Sequence, residues 1–349
     1  MTTSDRPPRP VRRARRRTRR VRLTRTIVVL LALALVTTAV IYGVKSLSPH
    51  HTVADSCQVV GETTGTIYAM DPEQLLNASI IADVAMRRGL PQQAVIIALA
   101  TAQQESKLRN IDYGDADSIG LFQQRPSQGW GLKSQILDPV YASGKFFDAL
   151  VKVRNWQGLT VAAAAQAVQR SAFPDAYTSW QPYGTALAAA LTGTTLGQLT
   201  CRLGHPGVNV KGSKPSSNAS TPASSALTSS AAASSPPADL PVPTSLVAAV
   251  SGLTSGLASD LEVTAPTVVA RGTKSATITV TGLAPVGTGN DAQAEHRTAT
   301  VSAWALAHAS EGITSVVVGT QEWRPDRDGW HPTNASAAAG AVIITVATR

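Results

Sequence analysis

The chain has 349 residues, a formal charge of +9, and 5% aromatic residues; it is long enough for two ordinary domains, and its alanine-rich composition suits small-residue helical packing better than a large β-sandwich. The positive charge does not mark a nucleic-acid binder, because it sits in a tail. Arg6 to Arg25 holds eleven arginines and no acid, Asp5 is the only charge before it, and taking that +10 from +9 leaves −1, with no stacking aromatics interleaved.

Residues 1–25 therefore read as a basic cytoplasmic tail and residues 26–46 as one transmembrane helix. The uncharged run from Thr26 to Val44 would span ~28 Å at ~1.5 Å per residue, close to a ~30 Å hydrocarbon core. A flanking arginine cluster is held inside, which places everything after about residue 46 outside a cell membrane in a single-pass arrangement. The alternative is a cleaved signal peptide. Against it, the apolar run exceeds a usual signal core and no small-x-small cleavage site follows.

The only cysteines, Cys57 and Cys201, fall on that expected exterior, where thiols oxidise, so they are expected to pair. Closing a loop of this length stabilises a fold by about 4 to 5 kcal/mol on the chain-entropy model. Two isolated cysteines lack the short paired spacing of a metal site, and neither metal nor cofactor is expected. They bracket a domain at 55–204. Inside it, Asp71-Pro72 starts a helix that Gly89 ends, and Pro91 starts a second that is apolar nearly all round and ends near Glu105. Residues 110–131 read as loop with a short hairpin, and helices resume at Asp138-Pro139, at Thr160 and near Pro174, ending by Gly193. This predicts a mainly α domain with a short β-hairpin.

Residues 205–245 are mostly Ser, Ala, Pro, Thr and Gly, a disordered linker with too few large apolar groups to repay ordering entropy. Residues 246–349 carry β-branched stretches at Val268–Val280, Ile313–Val318 and Val342–Val346 and one helical segment near Ser302–Ser310, a small α+β module.

The chemistry-bearing stretch is Gln103-Gln104-Glu105-Ser106, followed by Gly114-Asp115-Ala116-Asp117-Ser118-Ile119-Gly120-Leu121-Phe122-Gln123. A carboxyl at the end of a buried helix loses water without gaining a cation, which favours its protonated form and suits a general acid. The alternative is a helix-end glutamate pointing to solvent.

The pairing of Glu105-Ser106 with Gly120-Leu121-Phe122-Gln123 resembles the lysozyme-like lytic transglycosylases, which join Glu-Ser on a helix to a downstream Gly-Leu-Met-Gln. The resemblance covers roughly residues 75–195. It implies a peptidoglycan-cleaving enzyme in which Glu105 protonates the oxygen of a β-1,4 link between N-acetylmuramic acid and N-acetylglucosamine. The same carboxylate then takes the proton of the sugar's own 6-hydroxyl, giving a 1,6-anhydro product. It further implies that Ser118, Gly120, Leu121, Phe122 and Gln123 floor the cleft, with Gln123 on sugar and Ser106 orienting the region. Trp130 is the better placed of Trp130 and Trp156 to stack on a sugar face; both can equally be core.

Two departures from the family pattern stand in the sequence. Many relatives carry a later Ala-Tyr-Asn-x-Gly whose tyrosine touches the acid; here Ala167 to Tyr177 replaces it, with Tyr177 or Gln169 as candidates for that role. Gly114-Asp115 also looks like goose-type lysozymes, which makes Asp115 or Asp117 a candidate second carboxylate for inverting hydrolysis if it stands ~6.5 to 9.5 Å from Glu105. The same aspartates are equally readable as turn formers. Lys107, Arg109, Arg125 and Lys133 are candidates to meet muropeptide carboxylates. A binder that keeps the groove without turnover is the competing class. In the C-terminal module Ser302 to Ala309, then Gly312 to Val317, Glu322-Trp323 and Gly329-Trp330 faintly resemble a peptidoglycan-peptidase-like module, but Ala341-Val342-Ile343 stands where metal-binding forms have His-x-His, so it reads as wall- or partner-binding.

Overall fold

The computed structural model describes residues 55–204 and 244–348, apart from 172–173, 194, 265, 272–273, 282 and 284–290. Strand β1 (Ser56–Val60) doubles back into β2 (Ile67–Met70) and is joined on its other edge by β3 (Leu199–Arg202), an antiparallel sheet of order β2-β1-β3. Cys57 lies opposite Cys201 in the β1–β3 register, and the two form a disulfide there.

Helix α1 (Pro72–Arg87) starts where a reciprocal cap satisfies its first amides. The Asp71 carboxylate accepts from the Gln74 amide at 3.0 Å while the Gln74 side chain accepts from the Asp71 amide at 2.9 Å. Helix α2 (Gln92–Ser106) follows Pro91, and Ala94 to Gln103 is buried without interruption, so this helix runs through the core rather than over it. Short α3 (Lys133–Ile136), α4 (Pro139–Leu150), α5 (Val161–Gln169) and α6 (Gln181–Leu191) complete this part. Asp138 caps α4 and Thr160 caps α5. Helices α1, α4, α5 and α6 all pack against α2.

The second part begins with α7 (Thr244–Leu261), continues through β4 (Thr267–Arg271) and β5 (Ser275–Val280) to α8 (Asp291–Ala307), and ends in β6 (Ile313–Val318), β7 (Gln321–Trp323), β8 (Trp330–Pro332) and β9 (Val342–Ala347). These six strands form one antiparallel sheet of order β4-β5-β9-β6-β7-β8. Val342, Ile344 and Val346 on β9 are buried at alternate positions, the period of a sheet with one face on helices, and β5 buries Ala276, Thr277, Ile278 and Val280. Helix α8 lies along α1. Between them Asp83, fully buried, accepts from Arg297 Nε at 3.0 Å and from Arg87 Nε at 2.6 Å. Burial pushes the Asp83 carboxyl up, and the two guanidinium groups oppose this. Trp330 Nε1 donates to the Leu199 carbonyl at 2.9 Å, tying β8 to β3. The described residues of 53–349 belong to one compact unit.

Three expectations are corrected. The mainly α domain with a short hairpin carries instead a three-stranded sheet at its joined ends; the 110–131 loop contributes only an isolated bridge, Ile119 with Gln124. The small α+β module is a six-stranded antiparallel sheet whose helix α8 shares an interior with α1. The transmembrane helix at 26–46 lies outside the described residues, and among those described no helix is long and apolar enough to cross a membrane. The membrane anchor and single-pass localisation thus find no support among the described residues. Helix α7, 18 residues long, is interrupted by serine, glycine and threonine and buries only Leu246, Leu253, Leu257 and Leu261, the stripe of a helix lying on a protein. The basic tail at 1–25 and most of the linker at 205–245 also lie outside the described residues; Thr244 and Ser245 open α7.

Candidate active site

Glu105 occupies the last turn of α2, half-buried, where the chain leaves the core through two consecutive left-handed residues, Lys107 (φ 57°) and Leu108 (φ 58°). That reversal brings residues 109–124 back beside the helix end. The Ser106 hydroxyl fixes the contact, donating to the Leu121 carbonyl at 2.8 Å and lying 3.1 Å from the Ala102 carbonyl.

The turn Gly120–Gln123 is closed by two Ile119–Gln124 backbone hydrogen bonds of 3.0 Å each. Gly120 has φ +76°, and a Cβ there would stand 2.8 Å from the Ile136 carbonyl oxygen, so no other residue fits without movement. Gln123 is itself left-handed (φ 48°), and its amide nitrogen donates to the Tyr113 and Gly120 carbonyls, at 3.3 Å each. Leu121 and Phe122 point inward, both fully buried, with Phe122 stacked on Phe146 at 4.5 Å. Their side chains anchor the turn in the core rather than walling a cleft, while the Phe122 carbonyl accepts from Gln169 Nε2 at 2.8 Å.

Across from this turn, a 3-10 segment (Pro174–Trp180) clamps the helix end. Tyr177, 1% exposed, donates its hydroxyl to Glu105 Oε1 at 2.7 Å. Burial, together with the bonded Glu105 carboxylate, pushes the Tyr177 phenol well above its ordinary range, although a hydrogen bond from Ser171 opposes this. The phenol therefore keeps its proton and stays a donor. Trp180 Nε1 donates to Gln104 Oε1 at 2.7 Å, and the Lys107 ammonium sits 4.5 Å from the centre of a Trp180 ring.

These pieces enclose a groove of about 890 Å³ whose lining brings together Glu105, Asp115, Ser118, Gln123, Trp130 and Gln169, the size of a ligand cleft. Among the described residues seven non-glycine positions have positive φ, and five of them (Lys107, Leu108, Ala116, Gln123, Arg170) lie on the segments that build it. Each such position costs roughly 1–2 kcal/mol, strain that clusters where a site is being shaped.

The candidate residues outside the groove lining have other work. Asp117 accepts from Arg125 Nε at 2.7 Å, from the Ser127 amide at 2.8 Å and from its hydroxyl at 2.9 Å. These bonds, the Arg125 guanidinium first, hold its carboxyl down at about 2, so it is a loop clasp. Arg109 bonds Asp71 and Glu73 at the start of α1. Lys133 lines a smaller adjoining hollow with Tyr113, and Trp156 is core. Among the described residues no three His, Cys, Asp or Glu side chains gather as metal ligands.

Sequence reasoning missed Ser171, Lys152 and Arg170, which line the groove. Arg170 stands one residue past the α5 helix that the Thr160 cap announces, so its place was legible from that start signal and helix length; nothing in the sequence pointed Lys152 or Ser171 toward Glu105. No model of a known protein family matches the chain, and no curated protein matches it.

Proposed function

We propose that this chain cleaves β-1,4 bonds between N-acetylmuramic acid and N-acetylglucosamine in peptidoglycan, by lytic transglycosylation with Glu105 as general acid and then base. One observation carries the reading: the Glu105 carboxyl lines an open groove while a buried phenol holds one of its oxygens. With Oε1 accepting from Tyr177, the second oxygen is left to exchange a proton with the bridging oxygen of a bound strand. Because Tyr177 keeps its own proton, its bond to the carboxyl persists whether Glu105 holds a proton or has given it up. The same carboxylate then removes the proton of the 6-hydroxyl, which closes on the anomeric carbon without water. Ser106, Gln169 and the Gly120 turn hold this geometry through backbone carbonyls, and Trp130 and Gln123 offer groove surface for sugar. The disulfide fits an oxidising compartment, where such a polymer lies.

A second route has its own observation. Asp115 is exposed and shares the groove with Glu105, which suits a base for water in an inverting hydrolysis; Asp117, committed to Arg125 and Ser127, does not. Mass spectrometry of soluble products from purified peptidoglycan tests the reading. Anhydro ends are the expected result, reducing ends assign the Asp115 route, and an absence of released fragments refutes glycan cleavage altogether.

A further inference from the structure

The groove continues beyond Glu105 to a wall built by the ends of α4 and α5 and the residues that directly follow them. Ala149, Val153, Ala167 and Val168 make it apolar, and Lys152 and Arg170 stand beside them, both exposed. Other cations near the groove are already committed: Arg125 to Asp117, Arg109 to Asp71 and Glu73, Lys107 to the face of Trp180. Among the described residues Lys152 and Arg170 take part in no ion pair with an acid. Arg170 is moreover held in a left-handed conformation (φ 52°) at the end of α5, where a flexible glycine would relieve the strain. The acidic side chains that line the groove, Glu105 and Asp115, come from the end of α2 and the following loop. A carboxylate lying along the groove is thus drawn to the Lys152 and Arg170 wall and repelled from the other.

A peptide-free strand offers this wall one lactyl methyl and one carboxylate on each N-acetylmuramic acid, both held close to the ring, whereas a short peptide with several methyl side chains and free carboxylates extends along both features of the wall. We infer that the wall formed by Ala149, Lys152, Val153, Val168 and Arg170 is a subsite for the acidic peptide borne by the glycan strand, methyl groups on the apolar strip and carboxylates on the two cations. This rests on the glycan reading above and adds selectivity for peptide-bearing over peptide-free strands.

Equilibrium binding of the full chain to immobilised glycan strands that bear peptide, and to the same strands stripped of peptide by an amidase, tests it; every protein compared, the one with a wild-type wall included, carries Glu105→Gln so that the strands stay whole. The wild-type wall is expected to bind the peptide-bearing polymer roughly five- to tenfold more tightly, as two exposed ion pairs allow, and the preference shrinks in high salt. The Lys152→Ala, Arg170→Ala double variant is expected to bind the two polymers equally, and Lys152→Glu with Arg170→Glu to prefer the stripped one. Equal binding of both polymers by the wild-type wall overturns this subsite while leaving glycan cleavage standing. A double variant that keeps the preference and only melts at lower temperature also overturns it, because the cations then serve the helix ends alone. Binding to neither polymer overturns the subsite and the glycan reading together.

Discussion

At the scale of single residues, the arrangement turns on a carboxyl and a phenol that lie 72 positions apart in the sequence and 2.7 Å apart in space. Removing the phenolic hydroxyl takes away one hydrogen bond to a charged group, worth about 1.5–3 kcal/mol. Tyr177→Phe is therefore expected to lower kcat roughly ten- to hundredfold and, since the lost bond is buried in the free protein, to lower the melting temperature as well, measured by product release below the variant's transition and by calorimetry; unchanged kcat refutes a role for Tyr177 at Glu105. Much of this was legible beforehand. Glu105-Ser106 and the Gly120 turn stood out as a paired motif, the glycine because a positive φ against the Ile136 carbonyl requires it, and Tyr177 was one of two residues named as candidates to touch Glu105. The direction of Leu121 and Phe122 was not legible, since an apolar residue in a glycine-flanked loop serves a cleft wall and a core equally well until the neighbour, here Phe146, is known.

At the scale of elements, the loop from Ile111 to Gly131 decides whether the groove exists, and Asp117 is its clasp. Its carboxyl is held at about 2 against an ordinary 3.8, so between those values the unfolded chain binds more protons than the folded one, and stability rises with pH across that window. The clasp is fully formed above about pH 4 and is lost as pH falls through about 2. Thermal melts of wild type and Asp117→Asn should differ at pH 6 and converge by pH 2; parallel curves across that range contradict the clasp. Helices α1, α2, α4 and α5 were readable because they open on a capping residue or a proline, Asp71, Pro91, Asp138 and Thr160. The strands β1, β2 and β3 were not. Runs of four or five residues leave too little period to read, and their pairing is made across the whole of residues 57–201 by the disulfide and the register.

At the scale of the whole molecule, the part that carries Glu105 does not bury its own surface. Helix α8 covers α1, and Arg297, 8% exposed, places its charge on the buried Asp83 and donates to the Leu261 carbonyl at 2.8 Å. Breaking one arm of a buried pair leaves an undercompensated carboxylate, and Arg297→Ala is expected to destabilise the fold by about 3 kcal/mol in urea titrations; a loss under about 0.5 kcal/mol, the range of ordinary surface substitutions, shows that the contact is incidental. The same cover makes a fragment ending near residue 204 an unsuitable test of activity, for α1 would expose the apolar face that α8 buries. Sequence composition suggested two modules because the Ser/Ala/Pro stretch separates them along the chain, and nothing in one dimension told that Arg297 returns to Asp83. The most direct measurement of the central claim is therefore made on the full chain, comparing wild type with Glu105→Gln in the release of soluble muropeptides from purified peptidoglycan. The account predicts steady release by wild type and at least a hundredfold slower release by the variant, the scale of a lost general acid; release by Glu105→Gln at the wild-type rate would contradict it.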